Sequence, residues 1–262
     1  MRIARLGAVE YLNARPLVYG LELRNDLFSL RFDVPSKCAA LLHEGSIDLG
    51  MIPSIEYLRG RDYRIVPDVG IMSDGPVASV ALFSTIPVAR IRSIAVDMSS
   101  RTSYALLRIL CLERFGIDPD FQPMPPEPEE MLRRCDAALL IGDPALFLDY
   151  APLGADKIDL GDHWRSLTGL PFVWAFWAGR RDALSAAAVE ALIAARDRGV
   201  AASDEIAAAY CGADRAPLGQ AYLRENIRYT LGDREEAGLM KYYELAERHG
   251  VVDAVVPALF YR

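Results

Sequence analysis

The stretch Ala8-Val-Glu-Tyr-Leu-Asn-Ala-Arg-Pro-Leu17 follows an apolar run, Ile3 to Gly7, which is typical of a strand that passes directly into a helix. Asn13 is a residue type that caps helices, and Pro16 is tolerated in a first helical turn because the amides there lack intrahelical partners. Unpaired amides and the helix dipole at such a turn attract anions. The stretch therefore predicts a strand-to-helix turn, and it leaves open whether that turn also binds an anion.

Further strand and helix segments repeat this pattern. Phe28 to Val34 alternates apolar and polar residues, as in a half-buried strand, and Pro35 opens a helix. Ile47 to Pro53 is nearly all apolar, which is typical of a strand covered on both faces. Ser54 then begins a short helix, so a βαβαβ opening places the Ser54 loop beside the loop that contains Asn13.

The same plan restarts in the middle of the chain. A new apolar run, Ser93 to Asp97, leads into the hydroxyl-rich turn Met98-Ser-Ser-Arg-Thr-Ser103 and then into a helix. We expect the chain to cross between two lobes at about residues 84–92 and to return at about 173–181. This division gives lobe I residues 1–88 and 176–262 and gives lobe II residues 89–175. The predicted fold class is α/β, with two lobes and a ligand cleft at the carboxyl ends of their strands.

Polar residues at these strand ends are the candidate ligand-binding residues. One helix cap needs one hydroxyl, so four hydroxyls at Ser99, Ser100, Thr102 and Ser103 indicate either an over-supplied cap or a carboxylate site. Ser79 is a polar residue inside an apolar strand and faces either the cleft or solvent. Gly142 and Asp143 end another strand, where Asp143 could cap the following helix or orient a ligand hydroxyl.

Composition and charge exclude several classes of function. The 262 residues are 52% hydrophobic, enough for a sizeable core, and the net charge is −7 with 29 basic residues scattered singly. Nucleic acid is therefore not an expected partner. No basic region followed by an apolar segment resembles a signal peptide, and no apolar run is long enough to span a bilayer. We expect a cytoplasmic protein without a membrane partner, and a homodimer stays open.

Cofactor chemistry is not predicted either. The four cysteines, Cys38, Cys111, Cys135 and Cys211, form no Cys-x-x-Cys pair and are expected to be reduced thiols. His43, His163 and His249 form no catalytic constellation, and no Gly-rich phosphate loop, nucleophile elbow or metal-ligand cluster is present. We therefore expect no metal and no cofactor.

Five segments together resemble one enzyme family, chorismate dehydratase of the futalosine route to menaquinone. They are Gly7 to Leu17, Ile47 to Pro53, Ser99-Ser-Arg-Thr-Ser103, Leu140 to Asp143 and Gly169 to Phe172. The resemblance implies a type 2 periplasmic-binding-protein-like fold and elimination of water from chorismate to give 3-[(1-carboxyvinyl)oxy]benzoate. It implies Asn13 as the catalytic residue and Ser79, Thr102 and Ser103 as substrate-binding residues. Ser100 is a substrate-binding candidate because of its place in the hydroxyl-rich turn. Tyr11, Ser54, Gly142 and Asp143 are further substrate-binding candidates, placed mainly by the predicted strand ends.

The residue that accepts the ring proton is not evident from the sequence. Glu10, Glu56 and Asp143 are the carboxylates near the predicted cleft, and no histidine is placed there. The enolpyruvyl carboxylate of chorismate lies beside the carbon that loses its proton, so the substrate could supply its own base.

Two other functions stay open at this point. One is a non-catalytic solute-binding protein for small anions, which would share the fold and the cleft. The other is the sister enzyme of the same pathway, which releases a dihydroxynaphthoate and would need a histidine base.

Overall fold

The computed structural model describes residues 3–99 and 101–262, so Ser100 lies outside the described residues. Within them, ten strands form two five-stranded sheets. In chain order the strands are β1 Ala4–Val9, β2 Phe28–Asp33, β3 Leu49–Pro53, β4 Tyr63–Ser73, β5 Val80–Ser84, β6 Ser93–Asp97, β7 Asp120–Met124, β8 Ala137–Ile141, β9 Asp156–Asp159 and β10 Phe172–Arg180.

Each sheet combines a parallel core with antiparallel strands. The first sheet has the order β2-β1-β3-β10-β4; β1 runs parallel to β2 and β3, and β10 runs antiparallel to β3 and β4. The second sheet has the order β7-β6-β8-β5-β9; β6 runs parallel to β7 and β8, and β5 runs antiparallel to β8 and β9. The predicted α/β class with two βαβ units is confirmed.

Nine α-helices in the described residues connect and cover the sheets. They are α1 Arg15–Val18, α2 Pro35–Glu44, α3 Arg101–Leu110, α4 Pro128–Arg134, α5 Gly142–Leu146, α6 Leu160–Thr168, α7 Ala186–Ala201, α8 Ser203–Ala221 and α9 Asp233–Arg248. None of them is both long enough and apolar enough to cross a membrane.

Asn13 does not cap the first helix. A single 3₁₀ turn, Leu12–Ala14, follows the first strand, and α1 then spans only four residues without a side-chain cap. The backbone N–H of Leu12 donates to a carboxylate oxygen of Asp143 at 3.1 Å. An amide that was expected to be free for a ligand is therefore bonded to a residue that directly follows β8 of the second sheet.

The chain crosses between the sheets earlier than expected. It leaves the first sheet after Ser73 and enters the second at Val80, and it returns between Asp159 and Phe172. The expected boundary at residue 88 placed β5 in lobe I, whereas β5 pairs with β8 and β9 of the second sheet. An apolar run predicts a strand but not its partner, which explains why the pairing of β5 differs from the expectation. The domain limits 1–88, 89–175 and 176–262 stay a prediction.

The core is continuous between the two sheets. Buried side chains of both sheets belong to one hydrophobic cluster, and a smaller cluster around Phe83, Met131 and Leu140 covers the other face of the second sheet. Trp164 of α6 packs edge-on against Phe172 of β10, with 5.2 Å between ring centroids. The two halves of the molecule are therefore packed against each other, and the turns at their strand ends meet.

Candidate functional site

A small cavity lies where the strand ends of the two sheets meet. Its volume is about 60 Å³, which is room for a few water molecules. Segments around the first sheet contribute Val9, Tyr11, Asn13, Pro35, Pro53, Ile71, Trp174 and Ala175. The passage to the second sheet and that sheet's strand ends contribute Val77, Ser79, Val80, Ser99, Arg101, Thr102, Ser103, Ile141 and Gly142.

Most of the predicted site residues come together at this cavity. Those that line it are Tyr11, Asn13, Ser79, Thr102, Ser103 and Gly142. Ser54 and Asp143 are not among the lining residues, and Ser100 lies outside the described residues. Their roles toward a substrate stay predictions.

Asn13 and Ser79 share a buried neighbour behind the cavity wall. The Ser79 and Tyr222 hydroxyl oxygens are 2.6 Å apart. The Asn13 side chain is a further polar neighbour of the Tyr222 hydroxyl and acts to lower its pKa. Tyr229 donates its hydroxyl to the backbone carbonyl of Asn13 at 3.0 Å. Tyr222 and Tyr229 are both buried. The backbone carbonyl of Asn13 is therefore fixed by Tyr229, and its side chain has Tyr222 as a neighbour.

The first turn of α3 and the residue Ser99 before it line the opposite wall. Asp97, at the end of β6, accepts the backbone N–H of Ser99 at 2.8 Å. The hydroxyl oxygen of Thr102 accepts the backbone N–H of Ile55 at 3.2 Å, which joins α3 to the turn after β3. Ser103 is 4% exposed and lines the cavity. Thr102 thus connects the two halves beside the cavity that Ser103 lines.

Ser54 does not line the cavity, and its hydroxyl bonds to the backbone of β10. It is fully buried, and its hydroxyl donates to the carbonyl of Val173 at 2.7 Å. Its own carbonyl accepts the hydroxyl of Tyr243 at 2.7 Å. This pairing holds the turn after β3 against β10.

Arg101 is a cavity residue that the sequence analysis did not single out. Its guanidinium donates to Glu56 at 2.8 Å, and the Glu56 side chain is fully buried. The same carboxylate accepts Arg59 at 2.6 Å and contacts a ring nitrogen of His43 at 3.0 Å. Burial raises the pKa of Glu56, but the His43 hydrogen bond and the two arginine charges outweigh burial and lower it overall. Glu56 is therefore an anion that fixes Arg101 at the cavity.

Asp143 also joins the two halves of the molecule. Its carboxylate accepts the Leu12 N–H and a hydrogen bond from the Tyr210 hydroxyl, which also donates to the Glu10 carbonyl. Burial raises the pKa of Asp143, and these hydrogen bonds offset that rise only in part. The preceding residue, Gly142, packs its backbone against the Tyr11 ring on the cavity wall.

The remaining wall is apolar. Trp174 is 7% exposed and donates its indole N–H to the Ser73 hydroxyl at 3.1 Å, so its ring is fixed beside Ile71. None of the three histidines is among the cavity-lining residues of the described chain. The cavity thus offers hydroxyls, an amide and one guanidinium on an apolar background, a set suited to a small apolar anion.

Of the two site residues that were not predicted, Arg101 could have been found from the sequence and Tyr222 could not. Arg101 stands inside the Ser-Ser-Arg-Thr-Ser turn, and an arginine at a turn predicted to bind a carboxylate is a natural candidate. Tyr222 lies far from every predicted strand end, and nothing in the local sequence indicates its contact with Ser79.

Comparisons with known proteins show the family to which this chain belongs. A family model described as menaquinone biosynthesis matches residues 4–248. A protein of Thermus thermophilus named chorismate dehydratase is 32% identical over 263 aligned residues, which cover 93% of this chain and 95% of the relative.

Solved structures show the fold. A crystal structure of an Archaeoglobus fulgidus protein matches with a TM-score of 0.74 at 21% identity and covers 95% of this chain and 98% of that one. The periplasmic aliphatic sulphonate binding protein SsuA of Escherichia coli matches with a TM-score of 0.67 at 20% identity, covering 100% of this chain and 94% of SsuA. The predicted periplasmic-binding-protein-like fold is therefore confirmed.

Proposed function

This chain belongs to the menaquinone-biosynthesis family, and we propose that it acts there as a chorismate dehydratase. The observation that carries the proposal is the joint position of Asn13, Ser79, Arg101 and Ser103 on the wall of one cavity between the two sheets. These groups can hold an anion and orient it, which is what an elimination from a dianionic substrate requires.

The reaction is an elimination of water, so the enzyme is a hydro-lyase. A proton leaves the ring carbon that bears the enolpyruvyl ether, and hydroxide leaves the neighbouring carbon. The electron pair of the broken C–H bond completes the aromatic ring of 3-[(1-carboxyvinyl)oxy]benzoate. No net oxidation or reduction takes place, so this balance requires no electron acceptor. The main tasks left to the protein are positioning and charge placement.

Chorismate carries a ring and two carboxylates, and one wall of the cavity suits a carboxylate while another suits the ring. The first turn of α3 places Ser103 at the cavity, and the nearby Arg101 guanidinium adds positive charge held in place by buried Glu56. A charge-assisted hydrogen bond is stronger than a neutral one, so this wall favours a carboxylate. The apolar wall at Trp174 and Ile71 suits the ring.

The proton acceptor is assigned to the substrate. Glu56 is paired with three positively charged or hydrogen-bonding partners, and Asp143 accepts Leu12 and Tyr210, so both carboxylates are already engaged. The enolpyruvyl carboxylate is tethered next to the acidic carbon and gains the advantage of an intramolecular base. Asn13 orients it, since an amide can donate and accept without titrating. The membership of a biosynthetic family supports a cytoplasmic location for the protein, which we propose.

Mixing the purified protein with chorismate tests the proposal. Chromatography with ultraviolet and mass detection is expected to find 3-[(1-carboxyvinyl)oxy]benzoate and consumption of an equal amount of chorismate. Binding of chorismate with no product over hours would contradict the proposal and favour a solute-binding protein. Asn13→Ala is the matched control: its turnover should fall while its affinity for the product is retained.

A further inference from the structure

The segment from Tyr222 to Tyr229 touches the cavity wall from behind. None of its residues lines the cavity, but it contacts two residues that do, Asn13 and Ser79. The segment begins with a π-helical turn, Tyr222–Asn226, a wider turn that is frequent at functional sites. Asn226 donates its side-chain amide to the carbonyl of Pro76 at 2.9 Å, just before Ser79. The segment therefore supports the wall at several points.

Ser79 stands at a strained part of the chain. The preceding residue, Ala78, has a φ of 62°, a left-handed value that is unfavourable for a residue with a Cβ. The backbone N–H of Ser79 donates to the carbonyl of Val77 at 2.7 Å, which closes a very tight turn. Such strain persists only where surrounding contacts hold it, and Asp159 does so by accepting the N–H groups of Val77 and Ala78.

The Tyr222 hydroxyl can serve two partners at once. A phenol has one proton to donate and lone pairs that accept, so it can bond with both Ser79 and Asn13. Its side chain is 2% exposed, so water does not compete for these bonds. Burial raises the pKa of Tyr222 well above its ordinary value, and its hydrogen-bonding neighbours Ser79 and Asn13 offset only part of that rise. The hydroxyl therefore stays protonated at neutral pH.

We propose that Tyr222 is a positioning residue of the dehydration, whose hydroxyl fixes the orientation of the Asn13 amide and the spacing between Asn13 and Ser79. This inference rests on the proposed function for its kinetic consequence, although its geometric content does not. The terminal torsion of an asparagine is soft, so an unanchored amide rotates and presents either its oxygen or its NH₂ group. Tyr222 selects which of the two faces the substrate.

Tyr222→Phe removes the hydroxyl and keeps the ring. We expect kcat for chorismate to fall by about 10- to 100-fold with KM changed by less than about threefold, because misplacement affects the reacting geometry more than binding. The matched control is Tyr57→Phe. Tyr57 is 3% exposed and bonds the C-terminal segment at Pro257 and Leu259, away from the cavity, so its kcat should match that of the wild type.

A double-mutant cycle separates positioning of Asn13 from a general loss of packing. In an Asn13→Ala background, Tyr222→Phe should lower kcat by less than about twofold, since there is no amide left to orient. An undiminished loss in that background, or a Tyr222→Phe enzyme as fast as Tyr57→Phe, would overturn the inference.

A spectroscopic measurement keeps this inference distinct from the proposed function. The side-chain NH₂ resonances of Asn13 can be assigned by their absence in Asn13→Ala, and they should shift in Tyr222→Phe but not in Tyr57→Phe. Unchanged resonances would overturn the inference even if chorismate is turned over, and failure of the wild type to convert chorismate would contradict only the proposed function. Should Tyr222→Phe not fold, Ser79→Ala tests the same link, and it should shift those resonances as well.

Discussion

At the scale of single residues, Gly142 shows how closely the cavity wall is packed. Its φ is 61°, and a Cβ placed there would lie 2.6 Å from a ring carbon of Tyr11. Its backbone N–H also donates to the carbonyl of Ser79 at 2.7 Å. Glycine is therefore required twice, once for the backbone conformation and once for the space that Tyr11 occupies.

Gly142→Ala is expected to displace the Tyr11 ring and to lower turnover of chorismate by at least about tenfold, because the ring forms part of the wall that positions the substrate. Gly154→Ala is the matched control. Gly154 has the same φ of 61°, and a Cβ added there would meet no heavy atom within 4 Å. Both variants should lose about 1–2 kcal/mol of stability from the left-handed backbone. Equal activities for the two alanine variants would show that the contact with Tyr11 is unimportant.

Glu56 is a buried carboxylate whose ionisation should make the stability of the protein depend on pH. Its buried carboxylate is ionised among His43, Arg59 and Arg101, and its pKa is lowered in the folded protein. A lowered pKa means that the ionised group stabilises the fold at neutral pH. That contribution is complete above the pKa of the unfolded chain and is lost as the pH falls through the lower value of the folded state.

Glu56→Gln is expected to lower the free energy of unfolding at pH 7 by about 1–3 kcal/mol, because hydrogen bonds to a charged group are lost. The difference from the wild type should shrink as the pH falls below the ordinary glutamate value, since the wild type then loses the same charge. Urea unfolding at a series of pH values from 7 downward measures both the loss of stability at pH 7 and its decrease in acid. Glu113→Gln removes a partly exposed partner of His249 and Arg248 and should cost less than about 1 kcal/mol. A Glu56→Gln deficit that stays constant in acid would be inconsistent with an ionised Glu56.

At the scale of elements, the start of α3 serves both the cavity and the packing of the two halves. Arg101, Thr102 and Ser103 occupy its first turn, and each side chain meets a different environment. Arg101 pairs with Glu56, Thr102 accepts the Ile55 N–H, and Ser103 lines the cavity. Tyr242 of α9 donates to the Thr102 carbonyl at 3.1 Å and supports the turn from behind.

Separate variants of this turn should therefore have separate effects. Ser103→Ala is expected to raise the chorismate KM by about tenfold, since one hydrogen bond to a carboxylate is worth about 1.5 kcal/mol or more, and to leave stability unchanged. Thr102→Val should also lower the free energy of unfolding by about 1–3 kcal/mol, because the buried Ile55 N–H loses its acceptor. Ser166→Ala, at an exposed position of α6, is the control for a lost serine hydroxyl. An unaltered KM in Ser103→Ala would remove this residue from the proposed carboxylate site.

At the scale of the whole molecule, the cavity is small because the two halves are held together. Three contacts join them close to the site: Asp143 with the Leu12 N–H, Thr102 with the Ile55 N–H, and Arg101 with Glu56. A cavity of about 60 Å³ is small for a substrate with a six-membered ring and two carboxylates, so we expect these contacts to part when the substrate enters. We therefore propose that this arrangement is a closed form and that an open form binds the substrate.

Asp143→Asn should shift the molecule toward the open form, because its amide is a weaker acceptor for Leu12 and Tyr210 than a carboxylate. We expect small-angle scattering to give a larger radius of gyration for this variant than for the wild type. Saturating 3-[(1-carboxyvinyl)oxy]benzoate should bring the two values together, whereas shikimate, with a single carboxylate, serves as the control ligand. Identical scattering curves for both proteins with and without product would argue against opening.

The sequence by itself determined the fold class and most of the cavity-lining candidates. Apolar runs such as Ile47 to Pro53 predict buried strands, and polar residues directly after such runs predicted Asn13, Thr102 and Ser103 at the cavity. This succeeds because strand formation and strand ends depend on local periodicity, and parallel strands bring their carboxyl ends to one edge.

Only the tertiary structure decided which polar groups are left for a ligand. Asn13 was expected to cap a helix, Ser54 and Asp143 were expected at the cavity, and β5 was expected in the first lobe. In the folded chain Leu12 bonds Asp143, Ser54 bonds Val173, and β5 pairs with β8. The positions of Arg101 and Tyr222 depend on contacts with Glu56 and Ser79, 45 and 143 residues away along the chain. Local sequence carries no information about such distant partners, because hydrogen bonds between elements form only when packing brings their donors and acceptors together.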